Sequence, residues 1–205
     1  MNYKFIHIPK TAGSYFFKAV YTENSNVEYV GHRFNYPVEV EEGEGRRNLG
    51  AYTIDDNCEY ISIVRNPFDL LHSYYHYDGR DGSKGWANCR TVHGTETFSE
   101  FVELYINPQK WFHYPPFKKS LYSMIKTPIG EIVPQHVLKF ETLSDDIEKF
   151  CETHNLMYKP VASDSKDRNT SKTPKTHYST QYSQDQVLRL SSIWANDLKI
   201  FNYEF

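Results

Sequence analysis

The sequence predicts an α/β protein with a central parallel β-sheet flanked by helices. Short apolar or β-branched segments alternate with segments whose apolar residues recur at helical spacing, and that alternation is typical of a parallel sheet with right-handed crossovers. At 205 residues the chain is long enough for one full core and short for two domains. We therefore expect one domain that spans residues 1–205.

The four expected strands are residues 3–8, 27–30, 60–64 and 136–140. After the third strand the chain reads RNPFDLLHSYYHY, where Asn66 can cap a helix and Pro67 suits its first position. In that helix Phe68, Leu71 and Tyr75 fall on one face. A strand followed directly by an amphipathic helix is the unit from which parallel sheets are built.

A helix is also expected after the fourth strand, in ETLSDDIEKFCETH. Asp145 and Asp146 come early and suit the positive end of its dipole. Its apolar stripe is Leu143, Ile147, Phe150 and Cys151.

Near the C-terminus, Ser183 and Gln186 have the spacing of a capping box, which starts a helix. The apolar residues that follow at helical spacing are Val187, Leu190, Trp194 and Leu198. Residues 97–106 and 117–125 are further expected helices. Residues 39–48 and 163–175 are polar and charged, and we expect mobile loops there.

The composition excludes some classes of protein. A net charge of −3 argues against sequence-independent nucleic-acid binding, which needs a broad basic face, although a local cationic pocket is still possible. The three cysteines Cys58, Cys89 and Cys151 are odd in number and widely spaced, which favours neither a disulfide framework nor a zinc site. A reducing compartment is the simpler interpretation.

No apolar run approaches the length that a membrane span needs. The first expected strand begins by Tyr3, which leaves no room for a signal peptide before it. These observations predict a soluble cytoplasmic protein, or a soluble catalytic fragment of a longer one.

The stretch FIHIPKTAGSYFFKAVY, residues 5–21, carries the first candidate site. It predicts a strand, a turn and the start of a helix, an arrangement in which backbone N–H groups can bind an anion. Lys10 adds a full charge, Thr11 and Ser14 add hydroxyl donors, and Gly13 would allow close approach. The alternative is an ordinary turn with a solvated lysine. The P-loop pattern of nucleotide hydrolases is missing.

Arg65 and Ser73 form the second candidate site. Arg65 follows the third strand, and Ser73 lies about two turns into the next helix, so the two could share a phosphate. The alternative is a surface arginine and an unrelated serine in the helix interior. Because Lys10 and Arg65 both follow strand ends, two anion sites would lie at the same edge of the sheet. They would suit a ligand with two separated anionic groups.

These motifs resemble a known family. HIPKTAGS is similar to the phosphosulfate-binding loop of carbohydrate sulfotransferases that use 3′-phosphoadenosine 5′-phosphosulfate (PAPS), the heparan sulfate 2-O-sulfotransferase-like, Golgi-type and bacterial enzymes. IVRNPFDLLHSYY is similar to their 3′-phosphate motif, and VLKFETLSDD and DLKIFNYEF support the match. The resemblance implies a P-loop-like α/β fold and transfer of a sulfuryl group to an acceptor hydroxyl, without a metal.

The resemblance also assigns residues to PAPS. The candidates for the 5′-phosphosulfate are Lys10, Thr11, Ala12, Gly13, Ser14 and Tyr15. Arg65 and Ser73 would hold the 3′-phosphate, and a loop before the last helices would add Arg168, Asn169, Ser171 and Lys172, for which a solvated loop is the alternative. Two positions depart from the family: Tyr15 replaces a small hydroxyl residue, and Leu70 stands where a second arginine is frequent.

His32, just beyond the second expected strand, is the candidate base for the acceptor hydroxyl, because a histidine titrates near neutral pH. A plain surface histidine is the alternative, and the reserve bases are Glu28, Asp55 and Asp56. His72 and His76 could share a metal by their spacing, but no third ligand is evident.

The resemblance implies that the acceptor is a glycan or small glycoside. Two rival functions are a small ATP-dependent kinase and a catalytically silent nucleotide- or glycan-binding domain. A kinase would need Mg²⁺ ligands. A silent domain would bind nucleotide without transferring any group.

Overall fold

The computed structural model describes residues 1–31, 55–76, 95–107, 120–126, 130–161 and 176–205. The chain divides into two compact units. Unit 1 consists of Met1–Val64 and Leu121–Asp167, and unit 2 of Arg65–Ser120 and Arg168–Phe205.

Unit 1 contains a four-stranded parallel sheet, which confirms the predicted α/β class. Its strands are β1 (Asn2–Ile6), β2 (Val27–Gly31), β3 (Cys58–Val64) and β4 (His136–Lys139). Their order across the sheet is β2-β1-β3-β4, and every pairing is parallel. All four lie where the alternation of apolar segments predicts them, to within two residues at either end.

The strand ends define two edges of this sheet. Ile6 at the end of β1 lies opposite Ser62, and Val64 at the end of β3 lies opposite Lys139. We call this the carboxyl edge, and the edge at which the strands begin the amino edge. The loop that follows β1 leaves from the carboxyl edge, and Arg65 follows Val64 directly in the chain.

The core of unit 1 lies between the sheet and two helices, α1 (Gly13–Ala19) and α5 (Leu143–His154). The rings of Phe5 and Phe16 stack with centroids 4.1 Å apart. The expected stripe of α5 is confirmed, since Ile147, Phe150 and Cys151 are buried in this core. Burial raises the pKa of Cys151 to about 11, which keeps that thiol protonated at neutral pH.

Unit 2 contains the helices α2 (Pro67–Tyr75), α3 (Phe98–Ile106), α6 (Gln184–Ile193) and α7 (Ala195–Phe201). Phe68 lies at its centre, fully buried, with the rings of Tyr182, Trp194 and Phe205 packed edge-on at 4.8–5.4 Å. The helix α4 (Leu121–Ile125) belongs to unit 1 and covers the end of the expected helix at 117–125, whose residues 117–119 lie outside the described parts.

The expected helix starts are also confirmed. The Asn66 side chain accepts a hydrogen bond from the Phe68 N–H, with Pro67 at the first helical position. Ser183 and Gln186 form a capping box at α6. The C-terminal apolar repeat is divided between two helices, because α6 ends at Ile193 and α7 begins at Ala195.

Several sequence-based expectations fall on residues outside the described ranges. These are the loops at 39–48 and 163–175 and one of the three cysteines, Cys89. Cys58 and Cys151 are free thiols. Within the part of the chain that is described, no helix is both long and apolar enough to cross a membrane.

Candidate functional site

The loop between β1 and α1 has an uncommon backbone. Lys10 and Ala12 both have left-handed conformations, with φ of 67° and 68°. For residues with a side chain this region costs about 1 kcal/mol or more, and such conformations concentrate at ligand sites. Left-handed residues interleaved in a turn can also aim successive N–H groups into one concavity that suits an anion.

Several polar groups of this loop form hydrogen bonds within the loop itself. The hydroxyl of Thr11 is fully buried and donates to the Ile8 carbonyl at 2.8 Å. The N–H groups of Tyr15 and Phe16 donate to the Ala12 carbonyl at 2.9 and 3.2 Å. Gly13 and Ser14 are the first two residues of α1, and N–H groups at that position have no carbonyl partner within the helix. The loop therefore presents backbone donors at Gly13 and Ser14.

His7 is a residue of this loop that sequence reasoning missed. A Cβ atom on Gly13 would lie 2.0 Å from Cδ2 and 2.1 Å from Nε2 of the His7 ring. That ring hydrogen-bonds through Nδ1 to the Tyr29 hydroxyl and stacks on Phe5 with centroids 6.0 Å apart. Gly13 is helical, so its backbone does not demand glycine. The packing of His7 against Gly13 gives this glycine a structural role beside the proposed approach of an anion.

We expect Gly13→Ala to destabilise the protein by about 1–3 kcal/mol, the usual cost of an added methyl group in a filled space. In a His7→Ala background the same change should cost little or should stabilise, because alanine is the better helix former. Urea unfolding of the four proteins in this double-mutant cycle measures the coupling. Equal effects of Gly13→Ala in both backgrounds would contradict the His7 contact.

Tyr15 is engaged within unit 1. Its hydroxyl lies 3.0 Å from the hydroxyl of Tyr158, and its ring packs against the core. Burial raises the pKa of Tyr158, so that hydroxyl stays protonated. A contact between Tyr15 and a nucleotide stays a prediction.

The second motif lies in unit 2. Arg65 is only 7% exposed, so it is not the solvated arginine of the alternative interpretation. Its Nε and Nη2 atoms both lie 2.7 Å from Oδ2 of Asp69, one helical turn later. Asp69 was not singled out from the sequence, although the i, i+4 spacing of opposite charges was visible.

Three neighbours of Arg65 on α2 are buried as well. Ser73 is 3% and Leu70 is 8% exposed, and His72 is 2% exposed. The Nε2 atoms of His72 and His76 lie 3.1 Å apart and form a hydrogen bond with each other. The spacing that suggested a shared metal is thus explained by a histidine–histidine contact.

The reserve bases differ in their surroundings. Asp55 accepts a 2.9 Å hydrogen bond from the Lys4 ammonium. This ammonium, with hydrogen bonds from Asn57 and Cys58, holds the pKa of Asp55 well below its usual range, which makes the carboxylate a weak base. Glu28 lies within β2 and is 3.6 Å from the same ammonium.

Five expected site residues lie outside the described ranges: His32, Arg168, Asn169, Ser171 and Lys172. The first of them follows Gly31, the last residue of β2, in the chain. The described motifs together define an α/β protein with two candidate anion-binding motifs, one in the loop that leaves β1 and one in the segment that follows β3.

Comparison with known proteins agrees with this class. A sequence model described as the sulfotransferase family matches residues 3–204. The chain belongs to this family, whose members transfer a sulfuryl group to an acceptor. The match shows the sulfotransferase family as a whole; it does not show the narrower resemblance to heparan sulfate 2-O-sulfotransferases. No curated protein matches the chain closely enough to count as a relative.

Proposed function

We propose that the protein transfers a sulfuryl group from PAPS to a hydroxyl group of a carbohydrate, either a glycan or a small glycoside. The observation that carries this proposal is the β1–α1 loop, in which Lys10 and Ala12 are left-handed and Gly13 and Ser14 open a helix. Family membership supplies the reaction class, and the loop supplies donors of the kind that a phosphosulfate needs.

The two motifs suit the two anionic groups of PAPS. The loop from Lys10 to Tyr15 would bind the 5′-phosphosulfate through backbone N–H groups and the Lys10 ammonium. Arg65 and Ser73 would bind the 3′-phosphate, with Arg168 and Ser171 as further candidates. The ion pair with Asp69 supports this role for Arg65, because it fixes the rotation of the guanidinium before a ligand arrives.

The proposed reaction is one in-line displacement at sulfur. The acceptor oxygen forms the new S–O bond, and the bond from sulfur to the bridging oxygen of the 5′-phosphate breaks. His32 takes the proton of the acceptor hydroxyl, and the electron pair of the broken bond stays on 3′-phosphoadenosine 5′-phosphate (PAP). Lys10 stabilises the negative charge that grows on the bridging oxygen. No step requires a metal.

A kinase and a silent nucleotide- or glycan-binding domain are the rival functions. A kinase needs carboxylate or hydroxyl ligands for Mg²⁺ near the phosphates. A silent domain would bind PAP, and changing His32 would leave its function unaltered.

Among the candidate bases, His32 is favoured over Asp55 and Glu28. The pKa of Asp55 is low, and Glu28 is paired with Lys4.

We expect His32→Ala to lower kcat about 100- to 10,000-fold, the usual range for removal of a general base. PAP affinity should be unchanged, because the base contacts the acceptor and not the nucleotide. The assay is release of PAP from PAPS with a panel of sugar and glycoside acceptors, and calorimetry gives the affinity. His177→Ala, at an exposed histidine, is the matched control.

Two outcomes would contradict this account. Normal turnover of His32→Ala would move the base to a carboxylate such as Asp56. Binding of PAP by the unaltered protein, without PAP release from PAPS for any acceptor in the panel, would favour the silent domain.

A further inference from the structure

Glu59, His136 and His154 form a cluster at the amino edge of the sheet in unit 1, and we call it the strand-start cluster. Each residue offers one ligand atom, and the three atoms lie within 4.8 Å of one another. No part of the proposed transfer uses these residues. They lie at the opposite edge from the loop that carries Lys10.

The sheet register brings the three residues together. Tyr3 lies opposite Glu59 on neighbouring strands, and Ile61 lies opposite His136. Because side chains alternate along a strand, all four of these residues share one face of the sheet. Helix α5 covers that face: the ring of Phe150 packs at 5.7 Å from Tyr3 and 5.0 Å from His136. His154, the last residue of α5, is thereby placed beside the starts of β3 and β4.

Each side chain of the cluster has a fixed orientation. His136 Nε2 lies 2.8 Å from Glu59 Oε2. The Tyr3 hydroxyl lies 2.9 Å from His154 Nδ1 and fixes the rotation of that ring. The two imidazole rings lie 4.6 Å apart at 73°. Buried outer partners of this kind orient the ligands of natural metal sites.

The cluster is also open to solvent. The side chains of His136 and Glu59 are 21% and 32% exposed, and His154 is half-buried. A cation can therefore reach the three atoms without unfolding the helix, and water can fill a remaining position.

We propose that the strand-start cluster binds one divalent transition-metal cation, with Zn²⁺ as the cation that its ligands fit best. Two imidazole nitrogens and one carboxylate oxygen are a common protein ligand set for Zn²⁺, and a water molecule completes the tetrahedron. In the bound state the cation takes the place of the hydrogen atom between His136 Nε2 and Glu59 Oε2, and the neutral imidazole carries its proton on Nδ1. The bound cation links β3, β4 and α5, so its effect is on the stability of unit 1.

The test uses the full chain, freed of metal and titrated with Zn²⁺ by calorimetry, with thermal unfolding at each metal concentration. We expect one strong site per chain and a Tm that rises with Zn²⁺, because a ligand of the folded state stabilises it. His154→Gln should weaken binding at least about 100-fold and abolish the rise in Tm. Tyr3→Phe, which removes only the outer hydrogen bond, should weaken it about 10-fold.

Two controls separate this site from other binders of Zn²⁺. Cys58→Ser changes the neighbour of Glu59 on the other face of β3, and His177→Gln removes an exposed histidine of unit 2. Both should bind Zn²⁺ as the unaltered protein does. Glu59→Gln replaces His154→Gln if circular dichroism shows that the latter does not fold. Zn²⁺ binding that is absent from the unaltered chain, or that persists unchanged in His154→Gln or Glu59→Gln, would overturn the proposal.

Discussion

Replacing Lys10 with alanine is expected to lower kcat for sulfuryl transfer about 100- to 1,000-fold, the effect of removing one preorganised donor to a developing charge. In the proposed reaction the bridging oxygen of the 5′-phosphate gains charge as its bond to sulfur breaks. The Lys10 ammonium would stabilise that charge more strongly in the transition state than in bound PAPS. The loss should therefore fall mainly on kcat, and PAP affinity should fall less.

A second variant, Lys10→Gly, separates an effect on the chemical step from an effect on folding. Because Lys10 has φ of 67°, glycine fits its conformation better than lysine or alanine does. Lys10→Gly should unfold at the same urea concentration as the unaltered protein or a higher one, yet lose turnover as Lys10→Ala does. Lys18→Ala, at a lysine in the last turn of α1, is the control for a general loss of positive charge. Turnover close to normal in Lys10→Gly would remove Lys10 from the mechanism.

Arg65→Ala should weaken PAP binding about 10- to 150-fold and leave AMP binding nearly unchanged. The factor corresponds to the 1.5–3 kcal/mol of a hydrogen bond to a charged group. AMP lacks the 3′-phosphate, so comparing the two nucleotides isolates the group that Arg65 would contact. Arg189→Ala is the matched control, since this arginine of unit 2 also pairs with carboxylates, Glu103 and Asp185, at 3.0 and 3.1 Å.

The Arg65 variant will also be less stable, because Asp69 loses its partner. We expect a loss of about 1–3 kcal/mol, the cost of leaving a partly buried acceptor unpaired. The double variant Arg65→Ala/Asp69→Ala removes both groups and should regain part of that stability. It keeps the nucleotide comparison available if the single variant does not fold. Equal weakening of PAP binding and AMP binding would show that Arg65 supports the fold and does not bind the 3′-phosphate.

Much of the fold was accessible from the sequence because its signals are local. Each strand is a short apolar run, and the caps at Asn66 and Ser183 act within three residues of themselves. The break at Trp194 was not predicted, because the apolar spacing continues across it. Burial of the Trp194 ring against Phe68, together with its Nε1 bond to the Tyr105 hydroxyl at 2.9 Å, depends on distant parts of the chain.

The candidate site, like the fold, could be predicted from the sequence only in part. Lys10, Gly13 and Arg65 are recognisable from residue types at fixed spacing. The contact of His7 with Gly13 and the burial of Arg65 beside Asp69 are not, because they depend on side-chain packing. The strand-start cluster was harder to predict. Glu59 and His136 lie 77 residues apart in the sequence, and His154 lies on a helix. Only the register of β3 and β4 and the length of α5 bring the three residues together.

The most direct test of the central claim is calorimetric titration of the unaltered protein with PAP, AMP and ATP–Mg²⁺ in parallel. If PAPS is the donor, PAP should bind more tightly than AMP by about the 10- to 150-fold expected for the contacts of one 3′-phosphate, and ATP–Mg²⁺ should bind no better than AMP. Equal or tighter binding of ATP–Mg²⁺ would contradict the assignment of PAPS and would favour a kinase.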